Sequence, residues 1–193
     1  SVILDRVSGL WMLCAIGGLG AAACATILAP WLHMPVILFI SLLLTGTAVW
    51  LALPWGLLLG IRKCGMRLSF SWLEPVRQAA ERPDFSSQLW VQAFGSALVQ
   101  LLSATALACG AAALGLMLEP QVWAFAIAPI FLMAALPLSV GGWGTREAAT
   151  VAALAPFGVP AVVAVGVGLL YVIFALAHVA LGAVAVGLPS SRS

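Results

Sequence analysis

Val36–Ile61, VILFISLLLTGTAVWLALPWGLLLGI, runs for twenty-six residues without one charged side chain. As a helix rising ~1.5 Å per residue it reaches about 39 Å, more than the ~30 Å hydrocarbon core of a bilayer. A membrane-spanning barrel would instead show alternating segments of about ten residues. The rest of the chain has the same character, with 64% hydrophobic and 7% charged residues over 193 positions and a mean hydropathy of +1.17. Soluble domains carry about 25% charged residues, so this composition excludes a soluble protein. The expected fold class is all-α: a polytopic helical membrane protein with about four full spans plus a re-entrant helical hairpin.

Upstream of that run, residues 7–28 read as a first span, closed by Ala29-Pro30 and a short loop from His33 to Pro35. Within residues 36–61, Pro54 is expected to bend the second span. Residues 62–88 follow as a polar segment holding Arg62, Lys63, Arg67, Arg77 and Arg82, five of the eight basic residues. Phe70, Leu73, Val76 and Arg77 have helical spacing there, as a helix lying along the interface would. Residues 89–118 make a third span, ending at Glu119-Pro120, and 161–188 a last one. Between them, 122–136 and 145–155 are each too short to cross and are expected to form a re-entrant hairpin over about 122–155. The whole is expected to be a single transmembrane domain, residues 1–193. It starts at serine rather than methionine, so it is expected to be part of a longer parent.

Cytoplasmic loops carry the excess of Lys and Arg, which sets the expected orientation. Arg6, the basic segment 62–88 and Arg192 are expected on the cytoplasmic side of a bacterial inner (plasma) membrane, with His33 and Glu119 on the outer side. A hairpin entering from the outer face adds no crossing and keeps this pattern consistent. Trp31 and Trp123 then sit at the outer interface and Trp11, Trp55, Trp72 and Trp90 near the inner one, while Trp50 does not fit the belt.

The hairpin's bend is Pro137-Leu-Ser-Val-Gly-Gly-Trp-Gly-Thr-Arg-Glu147. Charge inside a membrane costs at least ~2.5–3.5 kcal/mol per residue near the bilayer centre, so intramembrane ionisable residues mark functional candidates. Gly141, Gly142 and Gly144 permit positive φ and expose backbone N–H groups. Thr145 is placed to cap the following half-helix, and a full T-x-x-E box is absent because position 148 is alanine. Arg146 in the first turn adds a full positive charge, in a fork suited to phosphate, to the half-charge of the helix N-terminus. Glu147, favoured by the same dipole, is a candidate to pair with Arg146, bind an amine or take up a proton. The same residues also read as an ordinary interfacial loop. Asp5-Arg6 is equally double: a flank at the start of a span, or a pair reaching into the bundle toward the bend.

On the third span Gln92, Ser96, Gln100 and Ser103 share one face. This face reads either as interhelical hydrogen bonding, worth about 0.6 kcal/mol per contact, or as the polar wall of a headgroup path. Gly17, Ala21 and Ala25, and Ala104, Ala108 and Ala112, form small-residue stripes for close helix approach. Cys14, Cys24, Cys64 and Cys109 lack metal-like or C-x-x-C spacing. His33 reads as a loop residue and His178 as a helix-packing one.

Leu4-Asp5-Arg6-Val7-Ser8-Gly9-Leu10 before a span, and Pro137-x-Ser139-x-Gly141-Gly142-x-Gly144-x-Arg146-Glu147 later, resemble the two signatures of the flippase-like family. That family includes the transmembrane domain of lysylphosphatidylglycerol synthases. The resemblance covers essentially the whole chain in order and spacing. Its members usually carry further membrane segments before the Asp-Arg motif, which this chain is expected to lack. No stretch of these residues resembles the synthases' soluble aminoacyl-transfer domain, so the resemblance implies lipid translocation rather than lipid synthesis.

The expected function is therefore translocation of a phospholipid or lipid-linked headgroup across the inner membrane. Its site residues are Arg146, Glu147, Thr145, Ser139, Gly141, Gly142 and Gly144 at the bend, with Asp5, Arg6, Gln92, Ser96 and Gln100. The alternatives are a membrane-embedded scaffold subunit and a glycosyltransferase-associated protein acting on polyprenyl-linked sugars. The chain carries no paired carboxylates and no Asp-x-Asp, so it is not expected to be an enzyme. No G-x-x-x-x-G-K-[ST] loop occurs, and no cofactor or metal is expected. Membrane lipids, a second copy or a lipid-modifying enzyme are the expected partners, and nucleic acid is not.

Overall fold

A computed structural model describes residues 2–64, 85–135 and 144–187, and all their regular structure is helical. Side chains are described for most of these, but not for residues 2–6. In chain order the helices are α1 (Val2–Ala23), α2 (Ala25–Trp31), α3 (Val36–Cys64), α4 (Phe85–Ala113), α5 (Pro120–Ala135), α6 (Thr145–Leu154) and α7 (Ala161–Gly187). They gather into two compact units, Ser1–Leu102 and Ser103–Ser193, with the division falling inside α4. Stretches of α3, α4 and α7 are long and apolar enough to span a bilayer: Val36–Gly56, Ser87–Ala113 and Ala161–Val184. Their outward residues, including Ile37, Val91, Phe94 and Val162, are exposed. That suits helices whose outer faces meet lipid, where exposed hydrocarbon has no cost.

In the first unit α1 packs along α3. Gly18 makes the approach close, since a Cβ there would run into the Thr47 hydroxyl. One end of the contact is tied by Trp11 and Trp50, each donating its indole N–H to the other's backbone carbonyl. Trp50 thus serves helix packing, which is why it stood outside the expected aromatic belt. The Trp55 ring lies between those of Trp11 and Trp90, at centroid distances of 5.6 and 4.9 Å. The hydroxyls of Ser8 on α1 and Ser96 on α4 pair at 3.2 Å, and Gln100 donates through Nε2 to the Gly9 carbonyl at 3.3 Å.

The expected first span over residues 7–28 is not one straight helix. The chain bends by 87° between α1 and α2, at Cys24, whose backbone (φ −91°, ψ 13°) departs from the helix. Neither Pro nor Gly stands at residues 23–25 to mark the corner. Beyond it α2 closes in a Schellman motif, with Met34 N–H on the Ala29 carbonyl, His33 N–H on that of Pro30, and His33 at φ 56°. α4 closes in the same way, with Leu116 N–H on Ala111, Gly115 N–H on Ala112, and Gly115 at φ 76°. The third span therefore stops at Ala113 rather than reaching 118, because Gly115 takes the left-handed turn that ends a helix. α3 likewise continues to Cys64, into the segment expected to be loop, of which residues 65–84 lie outside the described residues.

In the second unit α5 and α6 fold back on one another. Phe125, early in α5, meets Phe157, just beyond α6, at 6.0 Å between ring centroids, while Ala135 and Gly144 face the intervening bend by connectivity. With 16 and 10 residues, the two helices are about 24 and 15 Å long, each short of a bilayer core. α7 packs on α6 and on the end of α4, where Gly110 and Gly166 lie against Leu170 and Leu114. Of the expected stripe Ala104, Ala108 and Ala112 only Ala104 is fully buried, because the covered face of α4 continues through Leu107, Gly110 and Ala111. Trp123 is also buried, at 3% exposure, rather than facing an interface. His178 is exposed, its Nδ1 2.8 Å from the Phe174 carbonyl one turn earlier, so this hydrogen bond stays within its own helix.

Candidate functional site

α6 is a mostly small-residue helix that starts with a charged pair, TREAATVAAL. Gly144 precedes it at φ 83° and ψ −46°, a conformation that strains any residue with a Cβ. Gly144 rather than Thr145 is thus the N-cap, and Thr145 becomes the first helical residue. This one-residue shift puts Glu147 at the third helical position, from which a carboxylate can reach back to the cap. It does so: the Gly144 N–H donates to Glu147 Oε2 at 2.6 Å. Glycine has no side chain to return the bond, so only the carboxylate half of a capping box is formed. Gly144 N–H is turned inward to Glu147 rather than outward to a ligand.

Adjacent residues on a helix do not face one another, and Arg146 and Glu147 make no ion pair. Glu147 is only 9% exposed, and its Oε1 is buried with no hydrogen-bond partner, as is Arg146 Nε. Buried charge without a partner is costly, so these two atoms stand out among the described residues. Arg146 is compensated in another way. Its guanidinium carbon lies 5.7 Å from the centroid of the Tyr171 ring on α7, within cation–π range. Phe131 of α5 meets Tyr171 edge-on at 5.3 Å and 65°.

Glycine at 168, one turn before Tyr171, seats α6 against α7. A Cβ there would lie 3.4 Å from Thr150 Oγ1 and 3.6 Å from Glu147 Cγ. Thr150 is fully buried and returns its hydroxyl to the Arg146 carbonyl at 2.8 Å, which satisfies it without a partner from another helix. Arg146, Glu147, Thr150, Phe131, Gly168 and Tyr171 thus come together in the second unit.

The other expected site residues fall as follows. Thr145 is half-buried at the start of α6, and Ser139, Gly141 and Gly142 lie outside the described residues. Asp5 and Arg6 stand within α1, in its second turn, rather than before it. Ser96 and Gln100 make interhelical hydrogen bonds in the first unit, and Gln92 is half-buried on the same helix. The two readings of that face are thereby weighted toward packing for Ser96 and Gln100. Tyr171, Thr150, Gly168 and Phe131 were not singled out from sequence. The available signal was that Tyr171 is the one tyrosine of the chain, set in a helix of otherwise apolar residues and a single histidine.

Apolar spans, a pair of short helices folded back on one another, and a charged pair at the start of the second of them, Glu147 buried and Arg146 half-buried, define a polytopic helical membrane protein with a polar site. The chain matches the family model described as the lysylphosphatidylglycerol synthase TM region over residues 1–182. It belongs to that family, whose description ties it to membrane lipid. No curated protein and no solved structure matches the chain.

Proposed function

We propose that the protein moves a phospholipid or lipid-linked headgroup between leaflets of the bacterial inner membrane, and that the headgroup is held at the N-terminus of α6. The observation that carries this reading is the adjacent pair of half-buried Arg146 and buried Glu147, with Nε and Oε1 shielded and left without hydrogen-bond partners. A phosphate would supply acceptors to the Arg146 fork, assisted by the helix dipole. Glu147 balances that charge and tolerates a zwitterionic headgroup. The family's tie to lysylphosphatidylglycerol synthases supports lipid as the cargo. α5 and α6, each too short to cross, suit a re-entrant hairpin that brings polar groups to membrane depth inside protein. The distribution of Arg and Lys favours a cytoplasmic basic segment 62–88 and a cytoplasmic C-terminus. On this reading the protein acts by binding and release, without making or breaking covalent bonds.

The test is mass spectrometry of lipids that co-purify in mild detergent with the wild type and with Arg146→Ala. Loss of one enriched lipid class from a well-folded variant supports the site and names the lipid. Identical lipid profiles would make the bend structural and favour the scaffold reading.

A further inference from the structure

We infer that Tyr171 is the positioning residue of this site: its ring holds the Arg146 guanidinium oriented while leaving the N–H donors to an anionic phosphate group. The inference rests on the headgroup reading above.

A guanidinium away from bulk water is usually stabilised by a carboxylate, which neutralises it and occupies its N–H groups in a bidentate pair. The one carboxylate nearby in sequence is used otherwise, since Glu147 Oε2 accepts from the Gly144 N–H. The Tyr171 ring takes that place, 5.7 Å from the guanidinium carbon. A ring face attracts the cation through its quadrupole and engages no N–H edge. Arg146 Nε accordingly remains buried and unpartnered. Beside it Glu147, more than nine-tenths buried, keeps Oε1 unpartnered, so two unmet hydrogen-bonding atoms stand at one helix start.

The ring's own orientation is set by packing. Phe131 meets it at 65°, a favoured edge-to-face arrangement. Glycine at 168 lets α6 approach α7 until Thr150 and Glu147 stand at contact distance, which puts Arg146 one turn further along α7, at Tyr171. The cation is thus prepared before a ligand arrives, and a phosphate meets donors that need no reorganisation.

The experiment measures binding of short-chain phosphatidylglycerol and, separately, of inorganic phosphate to the detergent-solubilised chain by calorimetry. The proteins are wild type, Arg146→Ala, Tyr171→Phe and Tyr171→Leu, each with its thermal midpoint recorded. Tyr171→Phe keeps the ring and is expected to bind within about twofold of wild type. Tyr171→Leu keeps apolar bulk without a π face and is expected to bind on the order of tenfold more weakly at an unchanged midpoint. Binding of the lipid alone identifies a lipid headgroup as the ligand, and equal binding of inorganic phosphate identifies a free-phosphate site. The Tyr171 pattern supports the inference in either case.

Equal binding by Tyr171→Leu and wild type, with Arg146→Ala defective, overturns the role of Tyr171 and leaves the headgroup reading standing. Equal binding by Arg146→Ala and wild type, or no binding by wild type, overturns both. Should Tyr171→Leu not fold, Tyr171→Met fills the space without a ring and takes its place under the same criteria.

Discussion

Trp11 and Trp50 exchange hydrogen bonds: each indole N–H donates to the other residue's backbone carbonyl, at 2.8 and 3.0 Å. The carbonyls belong to helices α1 and α3, so the pair joins two main chains through two side chains. It also fixes the register of α1 on α3, because a slip of either helix would break both bonds together.

Replacing Trp50 by Phe keeps an aromatic ring and removes one donor. The expected cost is about 0.5–1.5 kcal/mol, toward the lower end in a membrane. Trp11→Phe should cost a similar amount, and the double variant should cost less than the sum, since the bonds support one another. Thermal melting of the four proteins in detergent, followed by circular dichroism, measures the coupling. Strict additivity would show that the two bonds act independently.

At residue 168 the space is measured rather than open. A methyl group there meets Thr150 Oγ1 and Glu147 Cγ at ordinary contact distance, 3.4 and 3.6 Å. Gly168→Ala is therefore expected to fold and melt close to wild type, within about 0.5 kcal/mol, helped by alanine's better helix propensity. Gly168→Leu overfills the interface, at an expected cost of about 1–3 kcal/mol, and lifts α6 from α7. Melting midpoints and lipid retention of both variants give the readout, and a Leu variant equal to the Ala one would refute the close seating.

Glu147 has a structural duty that Arg146 lacks. Glu147→Ala removes the acceptor of the Gly144 N–H, a cap worth about 1 kcal/mol, and leaves Arg146 without a neighbouring negative charge. Glu147→Gln retains an oxygen able to accept that bond and should recover most of the lost stability. The two variants are to be compared by chemical denaturation in mixed micelles. Equal destabilisation by Gln and Ala would show that charge, rather than capping, is what the position supplies.

Composition and hydropathy were enough to reveal a helical membrane protein, because long apolar runs with almost no charge have one reading. The corner at Cys24 was not legible. Hydropathy averages over a window and carries no direction, and Ala23-Cys24-Ala25 has no residue that forces a turn. The start of α6 at Thr145 was placed correctly but its cap was assigned one residue too late, since Thr145 is a good cap in isolation while the positive φ of Gly144 decides the matter. Arg146 and Glu147 were visible as charge in an apolar chain. Their surroundings were not, for Tyr171 lies 25 positions beyond Arg146 and is brought beneath it by the packing of α6 on α7.

Tyr171 is the one tyrosine among 193 residues, and it lies under the residue proposed to hold the ligand. Growth on fluorinated tyrosine would therefore place a single fluorine nucleus in the chain, at the site and nowhere else. In the purified chain returned to lipid vesicles, its magnetic resonance line would follow occupancy of the site without mutation, dye or extrinsic tag.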